Sequence, residues 1–188
     1  MKSHEITNEM TWRGPDYEVI SQKFAEKNRE NWLSGKYIAD IEQYRVLVTG
    51  NFYSLWDDED VLAAYSSLID NIVDDIWVNP NYRRQHLFSK MLWFFKSRLN
   101  KNPLVIGKIH SPAMQEVIKG LSKFNKSWLN VNTNEVKPFD ATTVDEYYSN
   151  SGITDWRLII ESMGDFSDFP MFRTGSSYIK EDYTEIIK

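Results

Sequence analysis

The chain has 188 residues, 41% hydrophobic and 14% aromatic, which is enough to bury a core and points to one main domain. It contains no cysteine, which excludes disulfides, iron–sulfur clusters, thiolate zinc sites and a cysteine nucleophile; its three histidines, His4, His86 and His110, are too widely spaced to suggest a histidine-built metal site. A net charge of −5 disfavours nucleic-acid binding through phosphate contacts, and no apolar run reaches bilayer length, so a cytoplasmic protein with no membrane partner is expected.

In chain order, "EITNEMTW" (5–12) reads as a first strand. "RGPDYEVISQKFAEKNRENWLSG" (13–35) then reads as a helix. Pro15 suits its first turn, Asp16 complements the exposed amides there, and Tyr17, Ile20 and Phe24 recur at helical spacing. A second short helix is expected over "KYIADIEQ" (36–43). "YRVLVTGN" reads as a strand, and residues 52–78 as strand, acidic turn, strand, turn, strand, stopped by Asn79-Pro80.

From Arg84 onward, Leu87, Met91, Phe94, Phe95 and Leu99 trace one face of a helix. "LVIGKIH" (104–110) is a short buried strand. Ser111 is a candidate N-cap and Pro112 a first helical residue for "SPAMQEVIKGLSKF". Strand, helix, strand, helix is a βαβα unit and implies parallel pairing of "DIWV" with "LVIG". A hairpin about Asn132-Thr133-Asn134 and a strand at "TDWRLIIES" follow; the stretch after Ser162 shows no period. From Val131 on there are eleven acidic against five basic residues, so the C-terminal part carries the negative charge.

The chemistry-bearing stretch is "IWVNPNYRRQHLFSKML", residues 76–92. A strand, a turn and a helix entered beside two arginines make a place for an anion, because the first helical amides are unpaired and the dipole end is positive. Arg83 and Arg84 add charge to it.

This stretch resembles the central motif of the GNAT superfamily of N-acyltransferases, through Trp77, Val78, Pro80, Tyr82, Arg83, Gln85, Leu87, Ser89 and Lys90. The two small-residue positions of that motif hold His86 and Phe88, and the Phe88 ring must turn into the core. The resemblance implies an α+β (α/β) fold with a mixed central sheet flanked by helices and a C-terminal extension. It covers an acyl-CoA-binding core over residues 1–130, followed by a sheet-completing segment and an acidic aromatic tail over 131–188.

It further implies acetyl-CoA as cosubstrate, with no metal. Its pyrophosphate would lie on the backbone amides of Arg84, Gln85, His86, Leu87, Phe88 and Ser89, and its acyl carbonyl on an amide near Trp77 and Val78. The acceptor would be an amine on a small molecule or a protein, deprotonated by Asp74, Asp75 or His110. Asp74 and Asp75, being adjacent on a strand, are expected on opposite faces. The tyrosine that such enzymes often carry on the helix after the fifth strand is absent near Ile118 and Lys119. An alternative is a GNAT-like domain without catalysis, acting as a structural or binding module, with a protein partner docked through the tail.

Overall fold

The computed structural model describes residues 15–99, 102–107, 112–147 and 155–163. The expected strand over 5–12, the cap Ser111, His110 and the tail beyond Met163 lie outside them. The chain order is α1 (Pro15–Leu33), β1 (Lys36–Ile41), β2 (Tyr44–Thr49), β3 (Phe52–Trp56), β4 (Leu62–Ile69), β5 (Ile72–Val78), α2 (Leu87–Leu99), β6 (Leu104–Ile106), α3 (Pro112–Lys119), β7 (Phe124–Asn130), β8 (Val136–Pro138), α4 (Val144–Tyr147) and β9 (Trp156–Met163). This is a mixed α+β architecture. The strands form one sheet in the order β1-β2-β3-β4-β5-β6-β9-β7-β8. Its only parallel pair among the described residues is β5 with β6.

The segment expected as a second helix, residues 36–43, is instead strand β1. Ile38 and Ile41 have helical spacing, but the β1–β2 register slips between Tyr37 and Ala39, so the consecutive Ile38 and Ala39 are both buried. Such a bulge breaks the period of two and mimics a helical pattern. Ile41 pairs with Tyr44, and Glu42, at φ 56°, turns the hairpin.

Alternation sends neighbouring residues to opposite faces. On one face Trp32 and Ala25 of α1 pack with Leu47, Trp56, Leu62, Tyr65 and Trp77. On the other, Val46, Leu55, Ala64 and Ile76 join Met91, Leu92 and Phe95 of α2, Ile118 of α3, and Trp128. Leu92 and Phe95 are 0% exposed; burying each contributes about 1.5–3 kcal/mol. In α1 the buried stripe is Ser21, Ala25 and Trp32, one position round from the expected Ile20 and Phe24. Small residues there bring the helix close to the sheet, and the Phe24 ring still rests 5.6 Å from Trp32 and from Phe52.

Beyond residue 131 the chain re-enters the sheet. β9 lies between β6 and β7, with Leu104 facing Ile160 and Trp128 facing Leu158. Tyr147 of α4 stacks on Trp156 at 4.7 Å and meets Trp128 edge-on at 5.0 Å.

Candidate functional site

The site is built around the end of β5. Parallel pairing with β6 joins Ile72 to Val105 and Val73 to Ile106, and the Gly107 amide donates to the Val73 carbonyl at 2.7 Å. The paired residues are thus the first half of β5, not the "DIWV" end. Among the described residues that ladder stops there, while β5 continues to Val78.

Two features open the strand at this point. The β4–β5 register places Tyr65 opposite Trp77 and Ser67 opposite Asp74, so β5 carries one extra residue between them; Asp75, at φ 45°, is left-handed. The buried Ser66 hydroxyl donates to the Asp74 carbonyl at 3.2 Å beside the bulge. The strict alternation expected for Asp74 and Asp75 therefore fails here, because the bulge interrupts it. Asp74 leans over β6: a β-carbon on Gly107 would stand 2.8 Å from its Oδ1. The Asp75 carboxyl is held above its ordinary range by partial burial and then by the neighbouring Asp74 charge.

Beyond the bulge the ladder resumes. The Asn79 amide donates to the Ala63 carbonyl at 2.9 Å, so alternation turns the Val78 amide away from β4, toward the β6 side. The Val78 carbonyl, on that same side, accepts from Arg83 Nε at 3.4 Å.

The turn into α2 is fastened from several directions. Asn79 caps the 3-10 turn Pro80–Tyr82 through its side chain, whose Oδ1 accepts from the Asn81 amide at 3.1 Å and whose Nδ2 donates to the Leu62 carbonyl at 2.9 Å. The Tyr82 hydroxyl donates to Asp57 of the acidic β3–β4 turn. That bond, with burial second, pushes the phenol up to about 12. Burial alone would raise Asp57, but the Tyr82 hydroxyl, the Val61 and Glu59 amides and the Arg45 charge outweigh it and lower its carboxyl. Tyr44 donates to Gln85, Lys90 pairs with Glu42 at 2.5 Å, and Arg83 pairs with Glu18 of α1 at 2.7 Å.

Arg84 and His86 both hold left-handed backbone, φ 67° and 56°. His86, expected at a small-residue position, has the backbone geometry that glycine adopts without strain. Its carbonyl accepts from the Lys90 amide at 3.0 Å, which makes it the residue that starts α2. Phe88 is 6% exposed and packs in the core with Leu87.

The amides of Leu87, Phe88 and Ser89 are then the first three of α2, without acceptors inside the helix. No acidic residue occupies that first turn, and Arg84 is exposed beside it. The site thus joins unpaired helix amides, the exposed Arg84 guanidinium, a strand amide aimed at the β6 side and two carboxyl groups at the bulge. His110 lies outside the described residues. Among those residues no group of three or more acidic or histidine side chains is placed to hold a metal ion, and no helix is long and apolar enough to cross a membrane.

Sequence reasoning missed Gly107, Ser66, and the clasps Tyr82–Asp57 and Tyr44–Gln85. Only the glycine at a strand end carried a local signal. Compared with family models, with curated proteins and with solved structures, the chain finds no match in any of the three.

Proposed function

We propose that the chain is an N-acyltransferase of the GNAT type, moving an acetyl group from acetyl-CoA to a primary amine. The observation that carries this reading is the pair of left-handed residues, Arg84 and His86, leading into a helix whose first amides are free, directly after a bulged strand whose parallel pairing, among the described residues, involves only its first half.

The donor set suits such a cosubstrate. The Leu87, Phe88 and Ser89 amides and the Arg84 guanidinium offer hydrogen bonds and positive charge to a pyrophosphate. The Val78 amide offers a donor to the thioester oxygen, where negative charge develops as the amine attacks. Asp75, whose carboxyl is held above its ordinary range by burial, takes a proton from the incoming ammonium. The amine nitrogen bonds to the acyl carbon, the carbon–sulfur bond breaks, and the thiolate leaves to take up a proton. α3 carries no tyrosine to supply that proton.

A second reading, a GNAT-like structural or partner-binding module without catalysis, draws on a different observation. Arg83, Gln85 and Lys90 are all engaged within the chain, by Glu18, Tyr44 and Glu42. The loop then serves as a braced corner, and a protein partner would be sought through the acidic tail.

Calorimetric titration with acetyl-CoA and with CoA separates the two. The enzyme reading expects saturable binding, weakened about tenfold in Arg84→Ala, since a lost charge-assisted bond is worth about 1.5–3 kcal/mol. Absence of binding at millimolar cosubstrate sinks it in favour of the module.

A further inference from the structure

We infer that Lys126 is a modification site: its amine takes an acetyl group from an acyl thioester in solution and holds it as a neutral amide between the Ile118 carbonyl and the Phe139 ring. The sheet sets this placement. Across β7 and β9, Lys126 pairs with Ile160 and Trp128 with Leu158, so Lys126 stands in the same row as the buried Phe124 and Trp128, on the face that α3 covers. Its backbone lies inside the sheet and its neighbours in that row are apolar and closed, yet the residue as a whole is partly exposed. The exposed part is therefore the outer end of the side chain, where a dissolved reagent meets the amine.

No carboxylate holds that amine. Nζ donates to the Ile118 carbonyl at 3.3 Å and stands 4.0 Å from the centre of the Phe139 ring, and no ion pair reaches it among the described residues. The charged groups of the surrounding elements are engaged elsewhere or turned away. Glu116 of α3 and Asp145 of α4 both pair with Lys119, and Asp140, next to Phe139, accepts from Thr142. Lys137 of β8 pairs with Glu135. Glu161 of β9 accepts from Ser127, whose side chain leaves the opposite face of β7, and Arg157 sits across from Leu129 on that same opposite face. Lys123 and Glu146 are exposed. Burial without a counter-charge lowers the lysine from 10.5 to about 8, so a sizeable fraction of it is the neutral nucleophile near neutral pH.

The surroundings also choose the product. The neutral Nζ bonds to the acyl carbon, the carbon–sulfur bond breaks, the sulfur leaves as thiolate, and one amine proton passes to solvent. What remains is an uncharged amide with a single N–H, which the Ile118 carbonyl accepts, while the methyl group meets the Phe139 ring. A neutral imine has no N–H for that carbonyl, a carbamate brings a negative charge to it, and methylation keeps the desolvated positive charge. The amine acts on a thioester from solution, so the inference does not need acetyl-CoA to be held at the entrance of α2.

The test incubates the full chain with acetyl-CoA at about pH 7.5 and follows acetylation of each lysine by peptide mass spectrometry. In the folded chain Lys126 is expected to be acetylated about tenfold faster than the exposed Lys23 and Lys27 of α1. Its rate is expected to level off above a pH of about 8, and in urea the level should move toward 10.5 as the preference disappears. Arg84→Ala is expected to leave the Lys126 rate unchanged. Acetyl-lysine placed at 126 during synthesis is expected to raise the urea midpoint at neutral pH. Labelling of Lys126 no faster than that of Lys23 and Lys27 overturns the inference, as does a preference that survives in urea. Loss of labelling in Arg84→Ala overturns direct attack from solution, and a lowered midpoint for the acetyl-lysine protein overturns the fit of the amide.

Discussion

Arg84 and His86 stand two residues apart with both backbones left-handed, at the entrance of α2. For a residue with a side chain that conformation costs about 1–2 kcal/mol. Glycine avoids the cost but gives back about 0.5–1 kcal/mol in unfolded-chain entropy. His86→Gly is therefore expected to leave stability within about 1 kcal/mol of the parent, while His86→Val, stiff at its branched β-carbon, loses about 2 kcal/mol or more. Thermal melts of the two variants check the order. A valine variant as stable as the glycine one contradicts left-handed backbone at this position.

Phe88, two residues on, behaves oppositely. Its ring is buried with Leu87 and Met91 on the α2 face of the sheet. Phe88→Ala is expected to cost about 3–5 kcal/mol, read as a fall in the urea midpoint at unchanged slope. Small residues at positions 86 and 88 are thus not equivalent in this chain: one is tolerated, the other opens a cavity.

Gly107 and Asp74 give a coupled pair. An added β-carbon at 107 meets Asp74 Oδ1 at 2.8 Å and the Val73 carbonyl at 3.0 Å. Gly107→Ala is expected to destabilise by about 1–3 kcal/mol. Asp74→Ala combined with it recovers part of that loss, because only the side-chain clash is relieved and the backbone one remains. A double-mutant cycle on urea midpoints measures the coupling. Strict additivity would mean that the two do not touch.

Much of this arrangement was legible in the sequence because it is local. Proline and asparagine at 79–80 end β5, β-branched runs mark β2 and β5, and apolar spacing from Leu87 draws the face of α2. The bulge of β1 imitates helical spacing and hides the strand. The clasps on the turn were not legible at all. Tyr82 meets Asp57 across 25 positions and Tyr44 meets Gln85 across 41, and only sheet registry brings them together. The side of α1 that faces the sheet is hidden in the sequence, since the buried Ser21 and Ala25 are small and carry little hydrophobic signal.

The Tyr82–Asp57 bond predicts two pH limits. The folded phenol, raised to about 12 from its usual 10, contributes stability that is complete below pH 10 and is lost as pH rises toward 12. The lowered Asp57 carboxyl contributes stability present above the usual aspartate range and lost as pH falls through its folded value. Both groups are partly exposed, so solvent screening discounts the bond to about 1 kcal/mol. Tyr82→Phe is expected to lower the midpoint by that amount at neutral pH and to lessen the alkaline decline. A variant with the parent's full decline between pH 10 and 12 would show that the bond is not made.

Lys126 carries the opposite sign. It lies on β7 with its Nζ 3.3 Å from the Ile118 carbonyl and 4.0 Å from the centre of the Phe139 ring, and burial lowers its pKa from 10.5 to about 8. Between those two values the unfolded chain binds more protons than the folded one, so this lysine makes stability rise with pH from about 8 to about 10.5. Below pH 8 the folded state bears the cost of a desolvated charge. Lys126→Met keeps the stem that packs along β7 and removes that charge. It is expected to raise stability by about 1 kcal/mol at pH 7, after allowance for the part of the side chain that reaches solvent, and to flatten the rise between pH 8 and 10.5. Urea midpoints of both proteins across that range decide the matter, since a methionine variant less stable than the parent at pH 7 would mean that the carbonyl and ring contacts outweigh the cost of burial.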